Sequence, residues 1–168
     1  MIKVKINEVF EVIEGVSEAR KLGIGYLDKL RGKYVVDFIE AAYILQSTKG
    51  IVIDSSGNPL DLKTLFIKYS RKSIDWAKFS VYYDLRKRGR KVKIGFTEND
   101  LIVEYGNERM LIFVTEENIG ITVNKLLEWV KYSFSKGFKP LLAVVDMHGD
   151  ITYYEITEVS LANIKDMF

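Results

Sequence analysis

Apolar and polar residues alternate from Met1 to Glu14: Ile2, Val4 and Ile6, then Phe10 and Val12, are apolar, with a break near Asn7. A period of two puts these side chains on one face of an extended chain, so the spacing predicts one or two half-buried strands. Ser17-Glu18-Ala19-Arg20 reads as an N-cap and first helical turn, ended by Gly23 and Gly25. From Val36, the apolar residues Phe38, Ala41, Ala42 and Leu45 follow the i, i+3, i+4, i+7 rule of one helix face, with Gly50 closing the helix. Ile51-Val52-Ile53 reads as a strand and Asp54 to Pro59 as a turn. Leu62, Leu65, Phe66 and Tyr69 form the inner face of a helix starting near Asp61.

The polar stretch Ser70-Arg71-Lys72-Ser73 divides the chain into residues 1–72, a small α+β module, and residues 73–168. Ser73 is placed to cap a helix with Asp75 beside the positive end of its dipole. Arg86-Lys87-Arg88 lie against the negative end, with Gly89 as the left-handed exit. Strands are expected around Lys91–Phe96, Leu101–Tyr105 and Met110–Val114. A helix from Thr122 follows, with Val123, Leu126, Leu127, Val130 and Phe134 facing inward. Leu141-Leu142-Ala143-Val144-Val145 is a continuous apolar run, as in a strand covered on both faces, and is assigned the centre of a parallel or mixed sheet. The turn Asp146-Met147-His148-Gly149-Asp150 joins it to Ile151–Ile156 as a hairpin. The fold class is α/β.

Composition narrows the chemistry. The 168 residues are 48% apolar and 29% charged, enough for a real core. No apolar run approaches the roughly 18–20 residues of a membrane span, and the first ten residues do not have the layout of a secretory signal, so a soluble cytoplasmic protein is expected. With no cysteine and one histidine, thiolate nucleophiles and cysteine- or histidine-clustered metal sites drop out; no metal or cofactor is expected. The formal net charge is only +2, so affinity for nucleic acid must come from where the cations sit.

They are densest in Arg86-Lys87-Arg88-Gly89-Arg90-Lys91-Val92-Lys93, which reads either as a phosphate-binding knot or as cations drawn to a helix end. Tyr43, Tyr69 and Tyr83 lie near apolar helix faces and read as core, with stacking platforms for bases as the other reading. His148 could act as an acid or base, but a turn histidine is usually a solvated residue. Asp146 and Asp150 could hold a cation, but two carboxylates without further oxygen ligands nearby read as turn formers, with presenting negative charge to a basic partner as the alternative role.

Two blocks carry a family resemblance. Tyr82-Tyr83-Asp84-Leu85-Arg86-Lys87-Arg88-Gly89, continuing to Gly95, resembles the Y-x-D-L-R-x-R-G signature of the archaeal tRNA-splicing endonuclease (tRNA-intron endonuclease) family. The segment from Leu141 through Val145-Asp146, Gly149-Asp150-Ile151 and Tyr153-Tyr154 resembles its L-L-A-V-V-D-x-x-G-D-I-x-Y-Y block. Glu40-Ala41-Ala42-Tyr43-Ile44-Leu45 adds a looser match in the N-terminal half.

The resemblance implies an N-terminal α+β module and a nuclease-like C-terminal α/β domain with a mixed central sheet. It also implies cleavage of precursor tRNA at a bulge-helix-bulge without metal, by attack of the neighbouring 2′-hydroxyl, using a tyrosine, a histidine and a lysine. At those positions this chain has Glu104, or Tyr105 after a one-residue slip; Arg109; and Phe138 or Lys139. Arginine is a poor proton donor. The resulting expectation is a non-catalytic, structural subunit of a heteromeric enzyme that pairs with a catalytic chain, in a tetramer acting on precursor tRNA. Lys87, Arg90 and Lys91 would bind RNA, and Asp146, His148, Gly149 and Asp150 would form a subunit-docking loop. An active nuclease using Tyr105 and Lys139, and a stand-alone RNA-binding module, are the alternatives.

Overall fold

The computed structural model describes residues 1–157. Two five-stranded sheets flank a central group of helices. The first sheet is built from β1 (Ile2–Ile6), β2 (Phe10–Glu14), β3 (Tyr26–Asp28), β4 (Lys33–Val36) and β5 (Gly50–Ile53), in the order β3-β4-β2-β1-β5. Only the β1–β5 pair is parallel. The second sheet contains β6 (Lys91–Ile94), β7 (Asp100–Tyr105), β8 (Glu108–Glu116), β9 (Lys139–Val145) and β10 (Ile151–Glu155), in the order β10-β9-β8-β7-β6. It is mixed: β8 and β9 run parallel, joined through α5 (Val123–Ser135), and the other neighbours are antiparallel. The helices α1 (Val16–Leu22), α2 (Phe38–Gln46), α3 (Leu62–Tyr69) and α4 (Asp75–Lys87) complete an α/β fold. Among the described residues no helix is long and apolar enough to cross a membrane.

Local chemistry explains several boundaries. Asp37 caps α2 by accepting from Ile39 N, and Glu40 reaches back to Asp37 N at 3.0 Å, a reciprocal capping box. Asp61 caps α3 through Thr64 N at 2.7 Å. Thr122 caps α5 through Lys125 N. Gly89 follows α4 at φ +77°, the left-handed conformation that a side chain disfavours.

Some expectations are corrected. The N-cap of α1 is Gly15, because the helix starts one residue before Ser17. Gly50 does not close α2 but begins β5, where a Cβ would lie 2.0 Å from the Ile2 carbonyl oxygen. Ser73 does not cap α4: Ile74 takes that place without a side-chain bond. Instead the Asp75 carboxylate accepts from Ser70 Oγ and from the N–H groups of Arg71 and Lys72, organising the helix entry from inside. The central strand is β8, not Leu141–Val145, which lies between β8 and β10. In α5 the core takes Trp129, Val130 and Ser133, whereas Val123, Leu127 and Phe134 remain exposed. Two adjacent stripes of that helix are apolar, and Trp129, with its ring centroid 5.4 Å from Phe113, selects the inward one.

One apolar cluster runs through both halves, from Ile2, Val4 and Ala42 to Val81, Val114 and Val145. Tyr43 of α2 meets Tyr82 of α4 edge to face, with centroids 5.5 Å apart. A smaller cluster of Leu111, Phe113, Trp129, Val130 and Phe138 lies on the α5 side of the second sheet. The two faces of that sheet therefore have different neighbours: Leu101, Val103, Ile112 and Ala143 pack towards α4, and Ile102, Leu111, Phe113 and Leu142 towards α5.

Candidate functional site

The signature around Tyr82–Gly89 builds a joint. Arg86 Nη1 donates to Leu22 O at 2.7 Å; Nη2 is directed at Gly23 O at 3.2 Å, Tyr82 Oη at 2.9 Å and Val92 O at 2.7 Å. One guanidinium thus ties the end of α1 to α4 and β6. Tyr82 is fully buried, and burial raises its phenol well above the ordinary range. Asp84 Oδ2 accepts from Arg88 Nε at 2.9 Å and from the Tyr153 hydroxyl at 2.8 Å. Burial first, then the Asp84 bond, raises the Tyr153 pKa. The two sequence blocks, sixty-nine residues apart at this contact, are therefore joined by one hydrogen bond.

Strand register shows which of the candidate residues share a face of the sheet. Glu104 of β7 pairs with Arg109 of β8. Because Met110 pairs with Lys139, the residue beside Arg109 is Phe138, and the Arg109 guanidinium carbon lies 4.4 Å from its ring centroid. Glu104, Arg109 and Phe138 thus form a row on the α5 side. The Glu104–Arg109 contact is loose, with Nε 4.0 Å from Oε1, and Phe138 is buried. Tyr105 and Lys139 are one residue out of step, on the opposite face. Tyr105 lies under Arg90, whose guanidinium carbon is 3.6 Å from the ring centroid. Lys139 Nζ donates to Glu155 Oε1 at 2.8 Å, and that bond raises its pKa.

In the basic knot, Arg86 and Arg88 are engaged as described, and Arg90 is stacked on Tyr105. Lys87 and Lys91 are exposed, with no ion pair among the described residues. Replacing Lys87, Arg90 and Lys91 by alanine is expected to weaken RNA binding and reduce the salt slope by roughly one unit for each phosphate that is no longer neutralised. An unchanged slope in a salt titration would return these residues to a helix-end role.

The loop after β9 is organised by one carboxylate. Asp146 Oδ1 accepts from His148 N at 2.8 Å and Asp150 N at 2.9 Å, while Gly149 N donates to Asp146 O at 3.1 Å. His148 and Asp150 are exposed. Among the described residues no group of three or more histidine or acidic side chains is spaced to hold a metal ion.

Two further ionisable side chains are buried, Glu40 beside the Arg86 joint and Lys78 near the start of α4. The carboxyl pKa of Glu40 is raised by burial, and its Oε1 accepts from Gly25 N at 3.1 Å. Burial lowers the pKa of Lys78, which donates to Glu98 O at 3.1 Å. Sequence reasoning did not find the Arg90–Tyr105 stack or the Asp84–Tyr153 bond. Both join residues distant in sequence and have no local pattern. A third feature, the exposed Trp76, stands in the chain as a helical residue with nothing to mark its exposure.

The architecture is a mixed α/β fold of two mixed sheets and five helices among the described residues, and the comparisons are specific. The family model described as "tRNA intron endonuclease, catalytic C-terminal domain" matches residues 76–153. The tRNA-splicing endonuclease of Thermococcus onnurineus is 33% identical over 134 residues, covering 76% of this chain and 77% of that protein. That of Methanothermobacter thermautotrophicus is 29% identical over 164 residues, covering 92% and 90%. An EndA-like protein of Methanopyrus kandleri is 33% identical over 87 residues, about half of each chain. The chain belongs to the tRNA-splicing endonuclease (tRNA intron endonuclease) family.

Proposed function

We propose that this chain is a structural, non-catalytic subunit of a heteromeric tRNA-splicing endonuclease that removes introns from precursor tRNA at bulge-helix-bulge sites. The row Glu104–Arg109–Phe138 carries the reading. Attack by a 2′-hydroxyl requires a group to take its proton, another to protonate the leaving oxygen, and a cation for the charged transition state. The row offers a carboxylate, a permanently charged guanidinium and an apolar ring. The alternative site, Tyr105 with Lys139, is disfavoured by their positions on the face opposite Arg109 and by their engagement with Arg90 and Glu155.

In this reading the chain contributes assembly through the Asp146–Asp150 loop, which docks on a catalytic chain of the same family in a tetramer. It contributes RNA contacts through Lys87, Arg90 and Lys91. The test is cleavage of a bulge-helix-bulge precursor by the purified chain, alone and mixed with a catalytic family member. No product is expected alone, and intron release is expected from the mixture. Specific cleavage by this chain alone would falsify the proposal. Arg109→His is expected to remain inactive, because Glu104 and Phe138 still supply neither phenol nor cation and misplacement near 1 Å already costs about a hundredfold.

A further inference from the structure

The turn between β6 and β7 is held from several sides and carries an exposed ring. Gly95 N donates to Asp100 O at 3.0 Å, Thr97 N to Asp100 Oδ1 at 2.7 Å, and Asn99 Nδ2 to Val114 O at 3.2 Å. From α4, Lys78 Nζ donates to Glu98 O at 3.1 Å. Phe96, on this turn, is 54% exposed, and its ring centroid lies 5.9 Å from Tyr132 and 5.8 Å from Phe138, which places it on the α5 side of the sheet. Val92 packs towards α4, so strand alternation puts Lys91 and Lys93 on the same side as Phe96, opposite Glu104 and Ile102 of β7. Helix α5 packs on β9, and Ile102 stays partly exposed. The cations of this half-face are Lys91, Lys93, Arg109 and Lys136, whose Nζ lies 5.8 Å from the Tyr132 ring centroid. Lys91, Lys93 and Lys136 have no ion pair among the described residues. The carboxylates do not cancel them. Glu104 lies loosely against Arg109, Glu98 is 3.7 Å from Lys72 Nζ, and Asp100 is buried beneath the turn within reach of the Lys78 charge. Glu108 is out of step with Arg109 and faces the Lys139 side, and Glu128 lies further along α5 with Lys125 beside it. The Asp146–Asp150 loop leaves β9 at the other end of the strand, about 20 Å from Lys139, and forms no wall of this face.

We propose, resting on the RNA-processing reading above, that this half-face of the second sheet binds an unpaired stretch of RNA, with one base stacked on Phe96 and the flanking phosphates at Lys93 and Lys136. Lys91 belongs to the same face, so the site carries one phosphate contact of the basic knot onwards across the sheet. An aromatic ring among cations on an open sheet face is the chemistry that holds single strands, and the stack is sequence-tolerant because every base offers a π-face. A protein covering Phe96 would have to desolvate Lys91, Lys93 and Lys136 or supply a carboxylate for each, whereas a polyanion meets all three along one backbone. Little freedom is lost when a base covers the ring, because the turn beneath it is already ordered. Binding here calls on none of the proton-transfer groups that cleavage needs.

The experiment uses the full chain and a labelled, mixed-sequence single-stranded hexaribonucleotide. By anisotropy of the labelled RNA, Phe96→Leu, which keeps an apolar side chain over Tyr132 and Phe138 but removes the π-face, should weaken binding by about 5- to 150-fold. Phe96→Trp should stay within a few-fold of the parent. The chain has two tryptophans, and Trp129 is buried, so Phe96→Trp combined with Trp76→Phe leaves the indole at position 96 as the exposed reporter. Saturable quenching of it by the RNA is expected. Lys93→Ala and Lys136→Ala should each lower the salt slope by about 0.7. The two substitutions of Phe96 are independent, so if one variant fails to fold the other still decides.

Unchanged affinity in Phe96→Leu, an indole at position 96 that bound RNA leaves unquenched, or no binding of the oligonucleotide by the chain overturns the site. Shielding of that indole from acrylamide by an added catalytic family member, but not by RNA, also overturns it and assigns the ring to protein docking. Cleavage and assembly are not among the readouts. A chain that binds RNA at Phe96 yet cuts alone defeats the subunit reading only, and a non-cutting chain with an inert Phe96 defeats this site only.

Discussion

Arg86→Ala is expected to destabilise the fold by about 2–4 kcal/mol, a large share of the roughly 5–15 kcal/mol that holds a domain together. The guanidinium is directed at four acceptors on three elements: Leu22 O and Gly23 O at the end of α1, Tyr82 Oη on α4, and Val92 O on β6. Truncation leaves these acceptors without their partner and removes a cation from the negative end of the α1 dipole. It also strips the rings of Tyr43 and Tyr82, whose centroids lie 5.6 and 5.2 Å from the guanidinium carbon. Arg86→Lys is expected to recover little, because one ammonium cannot reproduce a planar fork with donors in several directions.

The loss has a pH signature. Glu40 has a pKa raised above its ordinary 4.5 by burial, and Arg86 is among the groups that hold it down. Without the cation the folded-state pKa rises further. An acid with a raised folded pKa contributes fully below its unfolded pKa and loses that contribution as pH climbs through the folded one. The deficit of Arg86→Ala relative to the parent is therefore expected to be smallest near pH 4 and to grow from there towards neutrality. Urea unfolding at several pH values measures it. Lys87→Ala, one residue on but exposed, serves as the comparison and should shift stability by less than about 0.5 kcal/mol. A loss below about 1 kcal/mol for Arg86→Ala would mean that the joint is ornamental.

The same residue shows what the sequence could reveal and what it could not. Arg86 stands in a recognisable Y-x-D-L-R-x-R-G block, but its acceptors at Leu22 and Gly23 lie more than sixty residues away. No local pattern announces such a pairing. Helix α2 was legible because a whole apolar face repeats at helical spacing, and β1 because alternation is strict. Strands β3 and β4 were not, since three and four residues hold too few alternations to separate from a loop, and β3 is scarcely buried. The apolar run at Leu141–Val145 showed that a strand is sheltered but not its rank in the sheet. Strand order depends on pairing partners, and β8 takes the centre because β7 and β6 follow on one side and β9 and β10 on the other.

Register was the limit at the candidate site. Phe138 and Lys139 were both admissible in the chain, and Tyr105 stood beside Glu104 if a one-residue slip was allowed. A one-residue slip moves a strand side chain to the other face of the sheet, so choosing between them needs the partner strand. The Glu104–Arg109 and Met110–Lys139 pairs put Glu104, Arg109 and Phe138 in one row and Tyr105 and Lys139 on the other face.

Asp150→Lys is expected to leave this chain folded while preventing its tetramer with a catalytic family member. The sequence alone would suggest reversing Asp146 and Asp150 together, but the structure separates their roles. Asp146 Oδ1 holds the N–H groups of His148 and Asp150, so a lysine there removes the acceptor that shapes the loop, and failed assembly could then reflect a distorted loop. The Asp150 carboxylate has no hydrogen-bond or ion-pair partner among the described residues, and its backbone bonds to Asp146 do not depend on its side chain. Reversing its charge therefore tests docking with the loop intact. If the carboxylate enters a basic pocket and is desolvated there, the reversal costs on the order of 2–5 kcal/mol, roughly 30- to several-thousandfold in association. An exposed turn carboxylate that docks nowhere would change association by less than about threefold. Asp146→Asn keeps an oxygen acceptor and is expected to lie between these limits, and His148→Ala to be mild because His148 joins the loop's network through its backbone N–H. Sedimentation velocity on equimolar mixtures, with circular dichroism to confirm folding, distinguishes the cases. A complete tetramer from folded Asp150→Lys would remove the loop from assembly, and the structural role would then have to rest on another surface.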